Sequence, residues 1–202
     1  MSGPDPDRSV LTSDPVVLIV EDEPDLAQLY TAWLREHCTV RTAYDGEEAL
    51  EQIDDEVDVV LLDRRMPGLS GDEVLDTIRE RDLDCRVAMV TAVEPDFDIV
   101  EMGFDDYLVK PVSDDDLIDT VDQLLLRSTY DEQLQELFAL ASKKALLKSQ
   151  KTEAELRASE EYARLEDRIA VLRAQIDDTV AELIDQDAYR RMCKDISAES
   201  YQ

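Results

Sequence analysis

Four short apolar runs lie in the first two thirds of the chain, and each of them ends at a residue with a chemically useful side chain. The runs are Val16–Val20, Val57–Leu62, Cys85–Val90 and Phe104–Val109. A short run of Val and Leu without polar alternation is typical of a strand that is buried on both faces. These runs therefore predict a parallel sheet covered by helices.

Segments with helical spacing or helix-capping residues alternate with these runs, and Thr39–Ala43 adds a further short strand. Pro24 is suited to a first helical position, and Ser113 with Asp116 forms a predicted capping box. The predicted helices follow Glu23-Pro24, with Leu26, Leu29, Tyr30, Trp33 and Leu34 facing the sheet, and span about 47–53, 71–78, 94–102 and 113–126. Strand and helix alternate five times, which predicts an α/β, doubly wound, five-stranded sheet.

The strand ends carry the candidate chemistry. Glu21 and Asp22 follow the first run, Asp63 follows the second, and Thr91 and Lys110 follow the other two. Taken alone, Asp63 fits a solvated loop residue better than a functional one. Parallel strands, however, bring their carboxyl ends to one edge of the sheet, where ligands bind in open α/β folds. Clustered carboxylates with a hydroxyl and an ammonium group indicate a site for Mg²⁺ and a phosphoryl group.

These residues, in this order, resemble the receiver domain of two-component response regulators. The resemblance covers about Pro15 to Arg127 and rests on Glu21-Asp22, Asp63 with Met66-Pro67-Gly68, Thr91-Ala92, Lys110-Pro111 and Tyr107. It implies a flavodoxin-like fold with strand order 2-1-3-4-5.

The resemblance also implies a role for each matching residue. Asp63 is expected to be the phosphoacceptor, which takes its phosphoryl group from a histidine kinase. Mg²⁺ is the expected cofactor, with Asp22 as a direct ligand, Glu21 acting through water, and the backbone carbonyl of Arg65 as a further ligand. Lys110 would offset the anionic charge.

A switch is implied as well. Phosphorylation adds about two negative charges, and Thr91 is expected to move towards them, so that Tyr107 fills the space it leaves. The family modulates hydrolysis of the acyl phosphate two residues after the phosphoacceptor and two after the Thr, where this chain has Arg65 and Val93. Neither side chain orients water well, so we expect slow loss of the phosphoryl group.

One surface used by relatives looks unsuitable here. Many DNA-binding relatives dimerise through their fourth helix, fifth strand and fifth helix by pairing acids with bases. In this chain the face is almost wholly acidic, with Asp96, Asp98, Glu101, Asp105, Asp106, Asp119 and Asp122, and Arg127 is the exception. Two copies would repel each other there unless cations screened them.

The remainder of the chain predicts helices alone. Its first part has Leu134, Leu137, Phe138, Ala141 and Ala145 on one predicted face, and its second has Leu165, Ile169, Leu172, Ile176, Val180 and Leu183 at intervals of three or four. The stretch from about Ser128 to Ile184 resembles the HalX domain of haloarchaea. Two arrangements remain open: a helical hairpin with a break near 149–152, or a long helix in a coiled coil with a second copy. We favour self-association as a homodimer through these helices.

Charge is unevenly distributed between the two parts. The formal net charge is -29, of which -24 lies before residue 128 and -5 after it. Direct DNA binding by the receiver part is therefore unfavourable. So acidic a domain repels itself except in concentrated salt, which indicates adaptation to a salt-rich cytoplasm.

The predicted organisation is a disordered lead-in over 1–14, a receiver domain over 15–127, a HalX-like domain over 128–195 and a flexible tail over 196–202. Cys38, Cys85 and Cys193 lack metal-ligand spacing and are expected to be reduced thiols. No segment is long and apolar enough to span a membrane, so a cytoplasmic location is expected.

Three classes of function fit these features. The first is a phosphorylation-controlled interaction module that signals through its helical segment. The second is a transcription regulator whose C-terminal helical domain contacts DNA or the transcription machinery. The third is a phosphatase-like enzyme, which needs a second acid two residues after its nucleophile; Arg65 occupies that place. We therefore expect a phosphoacceptor signalling protein and not an enzyme.

Overall fold

A parallel five-stranded sheet forms the centre of the first half of the chain in a computed structural model, which describes residues 14–199 but not the side chains of Asp98 and of 186–199. The strands are Val16–Val20 (β1), Thr39–Ala43 (β2), Val59–Leu62 (β3), Arg86–Thr91 (β4) and Asp106–Val109 (β5). Their order is β2-β1-β3-β4-β5, and every neighbouring pair is parallel. The predicted fold class and strand order are confirmed. The predicted lead-in, apart from Asp14, lies outside the described residues.

Six α-helices accompany the strands within the described residues. They are Pro24–Leu34 (α1), Gly46–Gln52 (α2), Gly71–Glu80 (α3), Asp114–Gln150 (α4), Glu153–Ala158 (α5) and Glu160–Glu199 (α6). Several of these helices begin at a capping residue, whose side-chain oxygen accepts a hydrogen bond from an otherwise unpaired backbone N–H of the first turn. Ser70 and Glu73 form a capping box at α3, and the predicted Ser113–Asp116 pair forms at α4.

Alternate strand residues enter two separate cores, as the unbroken apolar runs predict. One core combines Leu18, Val60 and Leu62 with apolar residues of α2 and α3, whereas the other combines Val17, Ile19, Val59 and Leu61 with residues of α1 and α4. Both faces of the sheet are therefore covered. Because all the strands run parallel, their carboxyl ends lie at a single edge of this covered sheet.

The helix predicted over 94–102 is wrong. A short 3₁₀ helix, Phe97–Glu101, occupies this segment, and Asp96 caps it by accepting a hydrogen bond from the Phe97 N–H. Phe97 is 91% exposed and Val100 is 78% exposed. Most helical stability in proteins comes from packing an apolar face, and these apolar side chains face outward, so a longer helix gains little here.

The predicted end of the fifth helix near residue 126 is also wrong. The helix α4 continues without interruption to Gln150, although the chain divides into two compact units at Leu125/Leu126. No Gly or Pro lies between Asp114 and Gln150 to end it. The predicted domain boundary at 127/128 therefore falls inside a helix.

The second unit is a helical hairpin. Helix α4 ends at Gln150, within the predicted break, and Thr152 caps α5. Helix α6 then runs antiparallel to the end of α4. Two ion pairs join them: Arg168 Nη2 lies 2.8 Å from Glu136 Oε2, and Lys144 Nζ lies 2.8 Å from Glu166 Oε1. Of the two arrangements left open by the sequence, the chain itself forms the hairpin. Residues 200–202 of the predicted tail lie outside the described residues.

The seam of this hairpin differs from the predicted face of its first helix. On α6 the buried residues include Ile169, Leu172 and Thr179, and the Thr179 hydroxyl hydrogen-bonds to the Gln133 side chain of α4 at 3.1 Å. Phe138, which belongs to the predicted apolar face, is 65% exposed. Polar Gln133 and Lys144 occupy the seam because α6 offers each of them a partner. Among the described residues, no helix is long and apolar enough to cross a membrane.

Candidate functional site

The candidate site lies at the carboxyl edge of the sheet, where backbone pairing continues just beyond the strands. The Asp63 N–H donates to the Val20 carbonyl at 2.9 Å, and the Glu21 N–H donates to the Ala43 carbonyl at 3.0 Å. The residues that follow β1 and β3 are thereby held side by side.

Lys110 joins the two acidic strand ends. Its Nζ lies 2.7 Å from Asp63 Oδ2 and 2.6 Å from Glu21 Oε2, and its backbone N–H donates to the Thr91 carbonyl at 2.8 Å. The following Lys110–Pro111 peptide bond is cis. Four strand ends therefore contribute to one cluster.

Three carboxylates form the acidic part of this cluster. Glu21, Asp22 and Asp63 each present an oxygen, and these oxygens lie within 4.8 Å of one another. Glu21 is 1% exposed, and its Oε1 is buried without a hydrogen-bond partner among the described residues. A buried carboxylate oxygen without a donor is costly unless a cation neutralises it. The donor set consists of oxygens, as hard divalent cations prefer.

Burial and charge shift the ionisation of the cluster. Burial raises the pKa of Glu21 above its ordinary value, and the hydrogen bond from Lys110 offsets only part of that effect. Burial alone would lower the pKa of Lys110, but its hydrogen bonds to Asp63 and Glu21 raise it overall. Lys110 is therefore held as a cation between the two carboxylates.

The Asp63 carboxylate is fixed at both oxygens. Its Oδ2 accepts from Lys110, and its Oδ1 accepts from the Arg65 backbone N–H at 3.1 Å. The Arg65 side chain itself is exposed. An acceptor held by two donors keeps one orientation, which a positioned nucleophile needs.

Thr91 and Tyr107 meet at the loop after β4. The Val93 N–H donates to the Thr91 hydroxyl at 3.3 Å, and the Tyr107 hydroxyl donates to the Val93 carbonyl at 2.8 Å. The Tyr107 ring also contacts that of Phe104, with centroids 5.4 Å apart. A single residue, Val93, thus links the two predicted switch side chains.

Sequence reasoning missed the supports of the loop that carries Asp63. The Arg64 guanidinium binds the Asp72 carboxylate through two nitrogens, with Nε 3.0 Å from Oδ1 and Nη2 3.2 Å from Oδ2. The Gly71 N–H donates to the Arg64 carbonyl at 3.1 Å. Neither pairing has a periodic or motif signal, since both depend on how the loop folds back on α3.

Tyr30 was assigned to core packing alone, yet it also borders the site. It is buried in α1, and burial raises its pKa, with Lys110, Glu21 and Asp63 close enough to act on it electrostatically. Its position on the inward face of α1 gave no sign of this proximity.

Comparisons with known proteins agree with this geometry. A family model described as the response regulator receiver domain matches residues 17–122, and one described as the HalX domain matches residues 126–193. These ranges correspond closely to the two compact units.

Two curated relatives are similar over most of the first unit or beyond. A protein of Haloferax volcanii, named as a candidate transcriptional regulator, is 56% identical over 81% of this chain and 28% of its own length. The transcriptional regulatory protein CpxR of Escherichia coli is 38% identical over 59% of this chain and 53% of its own length. The chain thus spans only about a quarter to a half of these relatives.

Solved structures show the same fold. The BeF₃-activated receiver domain of DrrB from Thermotoga maritima is 27% identical, has a TM-score of 0.52, and covers 55% of this chain and 97% of that one. The receiver domain of the Francisella response regulator 1452 is 31% identical, with a TM-score of 0.52, and covers 57% of this chain and 99% of that one.

Proposed function

Because this chain belongs to the response regulator receiver family, with a HalX domain behind its receiver, we propose that Asp63 accepts a phosphoryl group from a histidine kinase. The observation that carries the proposal is the convergence of Glu21, Asp22 and Lys110 on the Asp63 carboxylate. The product is a signalling state and not a released metabolite.

The proposed transfer is a displacement at phosphorus. One Asp63 carboxylate oxygen forms a bond to phosphorus while the bond from phosphorus to the kinase histidine nitrogen breaks, and the electron pair stays on the imidazole. The reaction needs positioning and charge neutralisation more than covalent assistance. Lys110 supplies positive charge next to Oδ2, and the Arg65 N–H fixes Oδ1.

The acidic cluster is proposed to hold Mg²⁺. Asp22 and Asp63 would be direct ligands, Glu21 would act through water, and the Arg65 carbonyl would complete the protein's share. Support comes from the three oxygens within 4.8 Å and the unpartnered Glu21 Oε1. Bound Mg²⁺ supplies charge neutralisation at the transferring phosphoryl group.

The response is proposed to pass through Thr91 and Tyr107. A phosphoryl group on Asp63 offers acceptor oxygens to which the Thr91 hydroxyl can donate. Turning towards them would draw that hydroxyl away from the Val93 N–H, from which it accepts in the structure. Movement of Thr91 therefore changes the loop that also holds the Tyr107 hydroxyl. The two side chains act through one loop with two arrangements.

The output is proposed to be self-association of the C-terminal helices as a homodimer. A transcriptional output is the second candidate, because the Haloferax volcanii and Escherichia coli relatives are both named as transcriptional regulators. The net charge of -5 after residue 127 gives little electrostatic support for direct DNA contact. A transcriptional output through contact with the transcription machinery would also agree with the names of these relatives, and it would not require DNA binding.

A beryllofluoride titration followed by light scattering tests the function. With Mg²⁺ present in high salt, beryllofluoride should change the mass or shape of the wild type and leave Asp63→Asn unchanged. Thr91→Ala should still bind beryllofluoride but lose the change in assembly. A DNA shift assay on the same samples separates the two outputs. A response of Asp63→Asn equal to that of the wild type would exclude Asp63 as the acceptor.

A further inference from the structure

The outer face of the first hairpin helix carries apolar side chains that the hairpin does not cover. Phe138 and Leu146 are each 65% exposed, and Ala139, Ser142 and Ala145 between them are exposed as well. These residues lie opposite the seam, which contains Gln133 and Lys144. We call Phe138, Ala139, Ser142, Ala145 and Leu146 the outer face.

The outer face is nearly symmetric about Ser142. Phe138 and Leu146 lie four residues before and after it, and Ala139 and Ala145 lie three residues before and after it. Residues three and four apart share one side of an α-helix. A twofold axis through Ser142 would therefore place each large apolar side chain of one copy against one of the other. Such self-complementarity is what an isologous dimer requires.

Charge along the same helix has a polarity that selects one orientation. Asp131 and Glu132 precede Phe138, whereas Lys143 and Lys148 lie towards the other end. Glu136 and Lys144 do not count towards this polarity, because they pair with Arg168 and Glu166 within the hairpin. Two copies arranged in parallel would bring like charges together. An antiparallel pair brings the acidic half of each helix near the basic half of the other, which is favourable.

We propose that a second copy of this chain docks on the outer face, with the two α4 helices antiparallel and Ser142 near the twofold axis. The proposal rests on the proposed self-association and deepens it by naming the surface and the orientation. Burial of four large apolar side chains supplies the attraction. That term persists in concentrated salt, where long-range charge attraction is screened. The symmetry about Ser142 favours the antiparallel direction, and oppositely charged residues brought into close contact, where salt screens less, favour it further.

The test uses the full chain and sedimentation velocity over a concentration series in high salt. The double variant Phe138→Gln/Leu146→Gln keeps good helix formers and removes the apolar contact. The matched control is Val171→Gln/Ile184→Gln, which alters exposed apolar residues of α6 away from the outer face. We expect the first variant to associate at least about tenfold more weakly than the wild type, and the control to be unchanged.

Orientation is tested by cross-linking in a Cys193→Ser background with a short bis-maleimide. Cys38 and Cys85 are buried. In the proposed pair, Gln135 of one copy faces Ser149 of the other, since they lie seven residues either side of Ser142. Gln135→Cys mixed with Ser149→Cys should cross-link, while Gln135→Cys alone should not. Cross-linking of Gln135→Cys alone would overturn the antiparallel arrangement.

The remaining outcomes separate this proposal from the wider function. If the wild type dimerises and the Phe138/Leu146 variant dimerises equally well, the outer face is refuted and self-association stands. If the wild type stays monomeric at every concentration with and without beryllofluoride, both the outer face and the proposed homodimer are refuted. Phosphoacceptance at Asp63, measured on the same samples by mass, is judged independently.

Discussion

A Cβ atom built on Gly71 would lie 2.1 Å from the carbonyl oxygen of Asp63, so the first residue of α3 lies directly against the backbone of the proposed phosphoacceptor. No side chain fits at that separation, because the obstructing atom belongs to the main chain. The pairing sets the path of the loop between Asp63 and α3. Arg64 and Asp72 hold the same loop from its outer side.

Gly71→Ala should therefore displace the Asp63 loop. We expect a loss in the free energy of unfolding of about 3 kcal/mol, since overpacking against a fixed neighbour costs about 1–3 kcal/mol even where side chains can yield. Acceptance of phosphate from a small phosphodonor should fall in parallel. Urea unfolding and intact-mass measurement check the two effects.

Gly68→Ala is the matched control for that substitution. Gly68 has a φ of +79°, and nothing lies within 4 Å of a Cβ built there. The free energy of unfolding of Gly68→Ala should fall by only about 1–2 kcal/mol, because a residue with a Cβ is strained in a left-handed backbone conformation. Phosphoacceptance should be kept. Equal damage by both substitutions would mean that the close contact at Gly71 has no special importance.

Glu21 should destabilise the metal-free protein at neutral pH. Its folded pKa is raised by burial, so its stabilising contribution is complete below the ordinary carboxyl pKa and is lost as pH rises through the raised value. Glu21→Gln should therefore raise the metal-free free energy of unfolding near pH 7. At mildly acidic pH the gain should shrink. Denaturant unfolding at both pH values, with chelator, measures the difference.

Mg²⁺ should reverse that ranking. At 100 times its Kd, a bound ion adds about 2.7 kcal/mol to the free energy of unfolding, and Glu21→Gln should gain less because it offers a weaker ligand shell. An equal Mg²⁺-dependent gain in wild type and variant would place the cation elsewhere.

Salt should stabilise the receiver unit strongly. The net charge of -24 before residue 128 leaves many acids without a base, and their mutual repulsion grows as ionic strength falls. The melting temperature should rise steadily with KCl. Sucrose, which favours compact states without screening charge, should restore much less. A melting temperature independent of KCl would contradict adaptation to a salt-rich cytoplasm.

The phosphorylated state should be long-lived. The side chains of Arg65 and Val93 contain no oxygen that could orient water. Arg65 is also exposed, and Val93 takes part in the hydrogen bonds near the site only through its backbone. Arg65→Asn/Val93→Glu should lose its phosphoryl group at least about tenfold faster, because a positioned polar or basic group assists water attack. Phosphate release from purified, phosphorylated protein gives the rates. Similar rates for wild type and variant would show that residues 65 and 93 do not control the lifetime of the phosphorylated state.

Much of the fold could be predicted because buried parallel strands have an unambiguous pattern. The runs before Glu21 and Asp63 are almost wholly Val, Leu and Ile, which indicates parallel strands buried on both faces. The strand order came from the resemblance to the receiver family, and because that order sets which strand ends are neighbours, the meeting of Glu21, Asp63 and Lys110 could be predicted. Those positions depend on topology and little on side-chain detail.

The errors arose where packing decides between local alternatives. Glu94–Met102 has helix-like composition, but Phe97 and Val100 face outward and no packed stripe stabilises a full helix. The predicted apolar face of the first hairpin helix included Phe138, which is exposed. Gln133 instead enters the seam, since α6 supplies Thr179 as its partner. The Arg64–Asp72 pairing likewise depends on a contact made only in the folded loop.

Intact-mass spectrometry with peptide mapping, after incubation with acetyl phosphate and Mg²⁺ in high salt, tests whether Asp63 accepts the phosphoryl group. The wild type should gain the mass of one phosphoryl group, located on the peptide that contains Asp63 and removed by hydroxylamine. Asp63→Asn and a wild-type sample with chelator should gain none. Labelling of Asp63→Asn to the wild-type level, or a modified peptide lacking Asp63, would show that the clustered strand ends do not form a phosphoacceptor site.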